Sequence, residues 1–446
     1  MTHPGRALAS KDLNNFQPRL GVAWNFHPKF VFRSSFGFIT QDLFTNGTNQ
    51  NFEEYLATAI VQQPTGDPRI AFRLSQGPPA IRFNLNPDGS VPFIGTNFSG
   101  RSVSWMDPNI RMPYIMNWSG GVQWSFVQRW LLDVTYQGSR GVRLLNNWDI
   151  NAIPLDISRD RAELDRIFQA QQNYKPYPQL GSIQHYSNYG DNTYHGVTFR
   201  TDKRYSAGLT LNAFYTFSKA LTNAESDAGA GGITFYNRAL EKGRANYDIR
   251  HRFVSVMTYE LPFGKGRRWM NGGGVGNLLF GGWEMSWTQT LQSGPPFTLS
   301  FTGSPSRYLA GATRPNQIKP DVRTPNWDIG PNLFPTSAQN AYLDVIALEY
   351  PAAYTAGTIG RNTVEAPGIN WTQLSLSKEW PIRERLRFIL RWDANNALKQ
   401  PSYGQPDASY DPRRTAFGRI GTSTRGGFSD VGTANMNQLL VLRLEF

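Results

Sequence analysis

The chain has 446 residues, of which 39% are hydrophobic, 13% aromatic and only 17% charged, with no cysteine. Without cysteine there is no zinc ribbon, disulfide scaffold or thiol nucleophile, and no run approaches the roughly 18 apolar residues of a transmembrane helix. The net charge is +12, but the Lys and Arg residues are scattered through turns and loops with no dense basic run, which argues against a nucleic-acid partner.

A mean hydropathy of −0.46 is polar, although the charged fraction is below the roughly 25% usual for soluble domains. That balance, with 42 glycines and 13 tryptophans, suits strands that alternate apolar outward and polar inward in a transmembrane β-barrel.

Period-two runs mark the strands in order. RLGVAWNF (19–26) and FVFRSSFGFI (30–39) come first. WSGGVQWSF (118–126) places Trp118, Gly120, Val122, Trp124 and Phe126 on one face. After a turn at 128–129, WLLDVTYQG (130–138) sets Trp130, Leu132, Val134 and Tyr136 opposite Asp133, Thr135 and Gln137. HGVTFRT (195–201), a turn over 202–208 and LTLNAFYTFS (209–218) form the next hairpin. RFVSVMTYEL (252–261), WEMSWTQTLQ (283–292), TQLSLSKEW (372–380) and RLRFILRWDA (385–394) follow. The last strand carries Leu440, Leu442, Leu444 and Phe446 on one face. This makes about eleven strands, most near the 9–11 residues that cross a bilayer when tilted.

The connections alternate between short (27–29, 128–129, 202–208, 381–384) and long (40–116, 138–194, 219–251, 294–371, 395–437). Outer-membrane barrels have short periplasmic turns and long extracellular loops, so the C-terminus is expected in the periplasm. The glycine-rich 262–282 is long where a short turn is expected. Trp24, Trp118, Trp130, Tyr136, Tyr259, Trp283, Trp371 and Trp380 fall near strand ends, as aromatic girdles require.

Several segments resemble Oar-like TonB-dependent receptors. NYDIRHRFVSVMTYELPFGKGRRW (246–269) is similar to their D-R-H-R-F … Y-x-L-P-F-G-x-G segment, matched here by Asp248, Arg250, His251, Arg252, Phe253, Pro262, Phe263 and Gly264. FQPRLGVAWNFHPKFVFRSSFGF (16–38), GVTFRTDKRYSAGLTLNAFYTFSKAL (196–221), RLRFILRWDANNALKQPSYGQP (385–406), AFGRI (416–420) and the terminal LVLRLEF resemble further segments in the same order. Ala394-Asn395-Asn396-Ala397 departs from the family's Phe-Asn pattern.

The resemblance implies an all-β, antiparallel outer-membrane barrel of about 22 strands, energised through TonB and moving a large solute such as a carbohydrate, peptide or protein. On this reading residues 16–446 are the C-terminal part of such a barrel behind a disordered start at 1–15. The signal peptide, carboxypeptidase-regulatory-like domain, TonB box and plug would then belong to sequence outside this chain. Lipid, lipopolysaccharide and the barrel assembly machinery are the other implied partners. Leu440, Leu442, Leu444 and Phe446 resemble the signal that this machinery reads.

Nothing in the sequence points to catalysis or a cofactor. The five histidines have no metal-ligand spacing, GKGRR (264–268) lacks the phosphate-loop pattern, and no G-x-S-x-G elbow occurs. His251 reads as closing a hydrogen bond at the membrane edge. SRDRAELDRIFQAQ (158–171) reads as a solvated loop helix with i,i+4 charge pairs. Tyr174, Tyr177, Tyr186 and Tyr189, in a predicted extracellular loop, are the candidates for stacking on a ligand. A non-transporting adhesion barrel and a soluble carbohydrate-binding β protein are the alternative functions.

Overall fold

The computed structural model describes residues 12–41, 102–154, 159–225, 232–301, 313–325, 327, 341–383, 386–414, 416–420 and 436–446. In chain order the strands are β1 (Arg19–His27), β2 (Phe30–Thr40), β3 (Val103–Met106), β4 (Tyr114–Val127), β5 (Trp130–Asp149), β6 (Ile183–Ser206), β7 (Leu209–Thr222), β8 (Gly243–Arg244) and β9 (His251–Glu260). Then come β10 (Trp283–Gln292), β11 (Pro296–Phe297), β12 (Asn316–Gln317), β13 (Leu348–Glu349), β14 (Val364–Glu365), β15 (Ile369–Arg383), β16 (Leu386–Asn395) and β17 (Asn437–Glu445). Helices α1 (Arg161–Gln169), α2 (Gln171–Tyr174) and α3 (Val275–Phe280) lie in connections.

The eleven long strands form one antiparallel meander, β1-β2-β4-β5-β6-β7-β9-β10-β15-β16-β17. All eleven strands expected from alternation are present. Short and long connections fall at opposite ends of the sheet, as expected. β3 adds in parallel to the outer part of β6.

Residues directly opposite in a ladder share a face. One row runs Trp24, Phe32, Val122, Val134, Phe199, Tyr215, Phe253, Leu291 across eight strands. The next row, one residue along, runs Ala23, Arg33, Gly121, Thr135, Thr198, Thr216, Arg252, Gln292. One face is therefore apolar across the sheet and the other polar. The polar face is cross-linked by side chains: Gln123 donates to Asp133 at 2.7 Å, Ser375 to Asp393 at 2.6 Å, and Thr198 bonds Thr216 at 2.9 Å.

The apolar face leaves Phe199 47%, Trp24 61% and Leu442 63% exposed. A continuous apolar surface on this scale is unstable in water; hydrocarbon is the solvent that suits it. The main packed core lies elsewhere, in the long connections. Phe297, Leu299, Phe301, Val322, Leu343, Leu348, Tyr410 and Phe417 bury one another there.

Three expectations need correction, and the long 262–282 connection acquires a structure. The turn at 202–208 is only two residues: β6 continues to Ser206, and Ala207 (φ 52°) and Gly208 (φ 79°) close the hairpin. Positive φ at both positions suits the strand twist. The loop expected over 138–194 is shorter, because β5 runs to Asp149 and β6 starts at Ile183. Trp371 is not a girdle residue; it lies on the polar face and is buried with Ile369. The 262–282 connection is ordered, contains α3 and folds back onto the sheet.

The turn between β15 and β16 involves residues 384–385, which lie outside the described residues. So do residues 1–11 of the expected disordered start, whereas Asp12 accepts a hydrogen bond from the Met112 amide at 3.2 Å.

Phe199→Arg puts a charge on the apolar face and is expected to cost about 2–4 kcal/mol of stability in lipid. Thr198→Arg, one residue away on the polar face, should cost under about 1 kcal/mol. Denaturant unfolding of both variants folded into phospholipid vesicles measures the difference.

Candidate functional site: the lipid-facing band and the loop layer

The apolar band is bordered by aromatic residues at both ends. At the short-turn end Trp24, Phe26, Phe30 and Trp124 form a ring ladder, with Phe30 and Trp124 stacked 5.7 Å apart. Trp130, Tyr259, Trp283 and Trp380 continue the belt. At the long-loop end Tyr136 hydroxyl bonds His195 Nδ1 at 2.7 Å, and Tyr215 hydroxyl bonds His251 Nδ1 at 2.7 Å. In both pairs the rings stack. The expected hydrogen bond of His251 at the membrane edge is present.

The terminal strand extends the band. Leu440, Leu442 and Leu444 lie opposite Trp392, Leu390 and Phe388, and Phe446 is 94% exposed. On the other face Arg387 pairs with Glu445 at 3.0 Å.

The other motif residues shape the ends of β9. Asp248 is buried, accepts the Ala220 amide at 2.8 Å and pairs with Arg244 at 2.6 Å. Arg250 lies over the Phe217 ring at 5.9 Å. Arg252 faces the polar side between Thr216 and Gln292, and Phe253 the apolar side between Tyr215 and Leu291. Pro262 carbonyl accepts from the Trp269 amide at 3.0 Å, Phe263 packs on the Trp269 ring at 5.3 Å, and Gly264 donates to Trp269 carbonyl at 2.9 Å. Gly264 has φ +110°, a conformation closed to most side chains.

Above the band the long connections form a layer held by buried ion pairs. Arg314 grips both Glu241 carboxylate oxygens at 2.7 Å. Burial lowers the Arg314 pKa against the attraction of Glu241. Arg244 bridges Asp248 and Glu365, at 2.6 and 2.5 Å. Burial opposes the Arg244 charge, but those two carboxylates raise its pKa overall. Arg361 pairs with Glu225 at 2.7 Å. Of these charges only Asp248, in the 246–269 motif, carried a signal in the sequence; Glu225, Glu241, Arg244, Arg314, Arg361 and Glu365 did not, and apart from the Arg244–Asp248 pair the partners lie far along the chain.

Helix α1 carries the expected pairs, Arg159–Glu163 at 2.9 Å and Arg161–Asp165 at 3.4 Å. It is not merely solvated, because Leu164 and Ile167 are buried and Asp165 accepts from the Tyr354 hydroxyl at 2.6 Å.

The four tyrosines do not converge. Tyr186 and Tyr189 are three apart on β6 and so point to opposite faces. Tyr186 packs on Met106, Ile110 and Leu145. Tyr189 bonds His185 at 2.6 Å and lies under Arg238. Tyr174 and Tyr177 are exposed beside α2. A separate open cleft of about 430 Å³ in the layer is lined by Lys319, Asp321, Arg323, Trp327, Tyr342 and Asp344. The hydrogen bond from Arg323 holds the Asp321 carboxyl below its ordinary pKa. Among the described residues no group of acids and histidines could hold a metal ion.

A one-sided apolar sheet between aromatic belts, with a folded loop layer at one end, defines an outer-membrane β-barrel protein. The family model described as outer membrane beta barrel domain matches residues 2–429, and the chain belongs to that family. The protein is thus a barrel of the outer membrane.

Solved outer-membrane structures show a distant similarity to the chain. The outer membrane transporter YddB from Escherichia coli shares 8% identity at a TM-score of 0.46, over 96% of this chain and 40% of its own. The ferripyoverdine receptor of the outer membrane of Pseudomonas aeruginosa shares 8% at 0.42, over 96% and 33%. The siderophore receptor PiuA from Acinetobacter baumannii shares 8% at 0.40, over 96% and 35%. The chain therefore spans 33% to 40% of the length of these structures. No curated protein matches it.

Glu241→Gln leaves the Arg314 charge buried without its partner, a change that costs about 3–5 kcal/mol in comparable pairs. The loss should be confined to the loop layer. Hydrogen exchange should rise in 235–241 and 313–325 while β4 to β7 keep their protection.

Proposed function

We propose that this chain forms wall and outer loops of a TonB-dependent outer-membrane receptor that moves a large solute. The observation that carries the reading is the polar face of an eleven-strand sheet. A barrel of about eight strands is filled by its own side chains, whereas wider barrels enclose a lumen. Here β1 and β17 end the sheet path and are not paired with each other among the described residues. Open edges are intolerable in lipid, so the sheet closes with further strands around a wide polar interior. The resemblance of 246–269 and its companion segments to Oar-like receptors supports a closed barrel of about 22 strands with a plug. In that assembly the short turns and the C-terminus face the periplasm, and the loop layer faces the medium amid lipopolysaccharide. TonB acts through sequence outside this chain. Exposed Tyr174 and Tyr177 are the loop aromatics left free to stack on an arriving carbohydrate or peptide. Tyr186 and Tyr189 brace the layer behind them.

Leu440, Leu442, Leu444 and Phe446 serve in this reading as the signal for barrel assembly. Removing Phe446 alone should cut the amount of folded protein in the outer-membrane fraction several-fold, with little change in total expression. Equal insertion of the truncated chain would end that assignment.

The transport reading is tested by uptake of labelled ferric siderophores, oligosaccharides and peptides into cells carrying or lacking the gene. Uptake of one class should fall in the deletion strain, and should fall equally in the parent when the proton gradient is collapsed. Unchanged uptake of every class together with lost surface attachment would favour an adhesion barrel instead.

A further inference from the structure

The 262–282 connection is at the short-turn end but is far longer than its counterparts there. Its geometry gives it a task. On β15, Leu374, Leu376, Lys378 and Trp380 share the apolar face, so Lys378 is a lysine on the lipid side of the barrel. It is nevertheless only 3% exposed. The cover is α3. Lys378 Nζ donates to Gly281 carbonyl at 2.5 Å and approaches Asn277 carbonyl at 3.5 Å. Trp380 indole donates to Leu278 carbonyl at 2.9 Å, and Trp283 indole to Leu279 carbonyl at 2.9 Å. The lysine also lies 4.9 Å from the Trp380 ring and 5.8 Å from the Trp283 ring. The last carbonyls of α3 are thus held by one cation and two indoles, all from the membrane-facing side of the sheet. A cation there also suits the negative end of the helix dipole.

Held this way, α3 turns Val275, Leu278 and Leu279 outward at i, i+3, i+4 spacing, with Phe280 beside them. They are 70%, 55%, 53% and 57% exposed, and Trp269 and Met270 on the same connection are 49% and 48% exposed. Lys265, Arg267 and Arg268 precede them; Arg267 pairs with Glu260, and Arg268 lies 5.5 Å from the Trp269 ring.

We infer that α3 and its flanks are an interfacial anchor, lying on the outside of the barrel with Val275, Leu278, Leu279 and Phe280 in the acyl–headgroup boundary of the leaflet that meets the short turns. The partner is the phospholipid leaflet itself. The exposed side chains are continuous with the lipid-facing band through Trp283 and Trp380, and the basic residues suit phosphate headgroups. Apolar side chains on one side with Lys and Arg at the flank are the composition of an interfacial helix.

The chain contains no cysteine, so a nitroxide on one introduced thiol reports a single place. Val275→Cys and Leu279→Cys are labelled separately in the protein folded into vesicles of phosphatidylethanolamine with phosphatidylglycerol. Leu132→Cys, on the apolar face, and Thr363→Cys, in the loop layer, are the lipid and water references. Collisions with oxygen and with a water-soluble nickel chelate are compared by power saturation. Both α3 labels should favour oxygen over nickel, as the Leu132→Cys label does. Nickel access equal to that of the Thr363→Cys label at both sites would overturn the anchor. Protection from both reagents would also overturn it, because it would mean that protein covers the helix.

Discussion

Hydrocarbon offers no hydrogen-bond partner to a peptide group, and every other feature of this chain is arranged around that fact. Each strand in the band must give its N–H and C=O groups to neighbours, which leaves a continuous antiparallel ladder as the workable solution. The ladder then fixes the side chains. A slip of one residue anywhere would carry Arg33, Thr135 and Arg252 into lipid and Phe32, Val134 and Phe253 into the polar interior. Register is therefore specified many times over, once in each strand pair, without a packed core inside the sheet.

The division of labour follows. Inside the band, stability comes from paired backbone and from solvation of the outer side chains by lipid. Outside it, the chain meets water and obeys the ordinary rules of globular packing. The loop layer has a buried apolar cluster, buried ion pairs with two-pronged geometry and helix α1 docked through Tyr354. Such a layer can hold binding residues in fixed positions, as loops on a rigid scaffold do elsewhere.

This division also explains what the sequence made legible. Alternation revealed all eleven long strands because the two faces of the band meet different solvents. It fell silent where that contrast ends. β5 beyond Gly138 and β6 before Tyr194 rise above the band, where protein covers both faces and Leu145, Asn146 and Trp148 are all buried. With no apolar-versus-polar rule to obey, those segments read as loop. Lys203 falls within the turn expected at 202–208, yet it lies in β6 and donates to the carbonyls of Ser206 and Leu209 at 2.7 and 2.9 Å. The buried pair Arg314–Glu241 and the half-buried pair Arg244–Glu365 join residues 73 and 121 positions apart, a distance over which no local pattern operates.

Lys203 and Lys378 also report the tilt of the strands. Both lie on the apolar face at the short-turn end, each within 6 Å of a tryptophan ring centroid and each bonded to turn carbonyls. A charge in mid-band would cost about 2–4 kcal/mol, falling toward zero at the interface, so each lysine marks the level of the membrane edge. The ladder row through Lys203 passes Leu211, Met257 and Trp287 and reaches β15 at Leu374. Lys378 stands four residues further along, after four strand-to-strand steps. The membrane edge thus climbs one residue per strand. A rise of about 3.3 Å against a spacing of about 4.8 Å corresponds to a tilt of about 35°. The other edge agrees. His195 pairs with Lys219, whereas His251 pairs with Phe217, a shift of two residues over two steps in the same direction. Two chemically distinct markers on opposite rims therefore give the same stagger, and it is the stagger that a closed, tilted barrel requires.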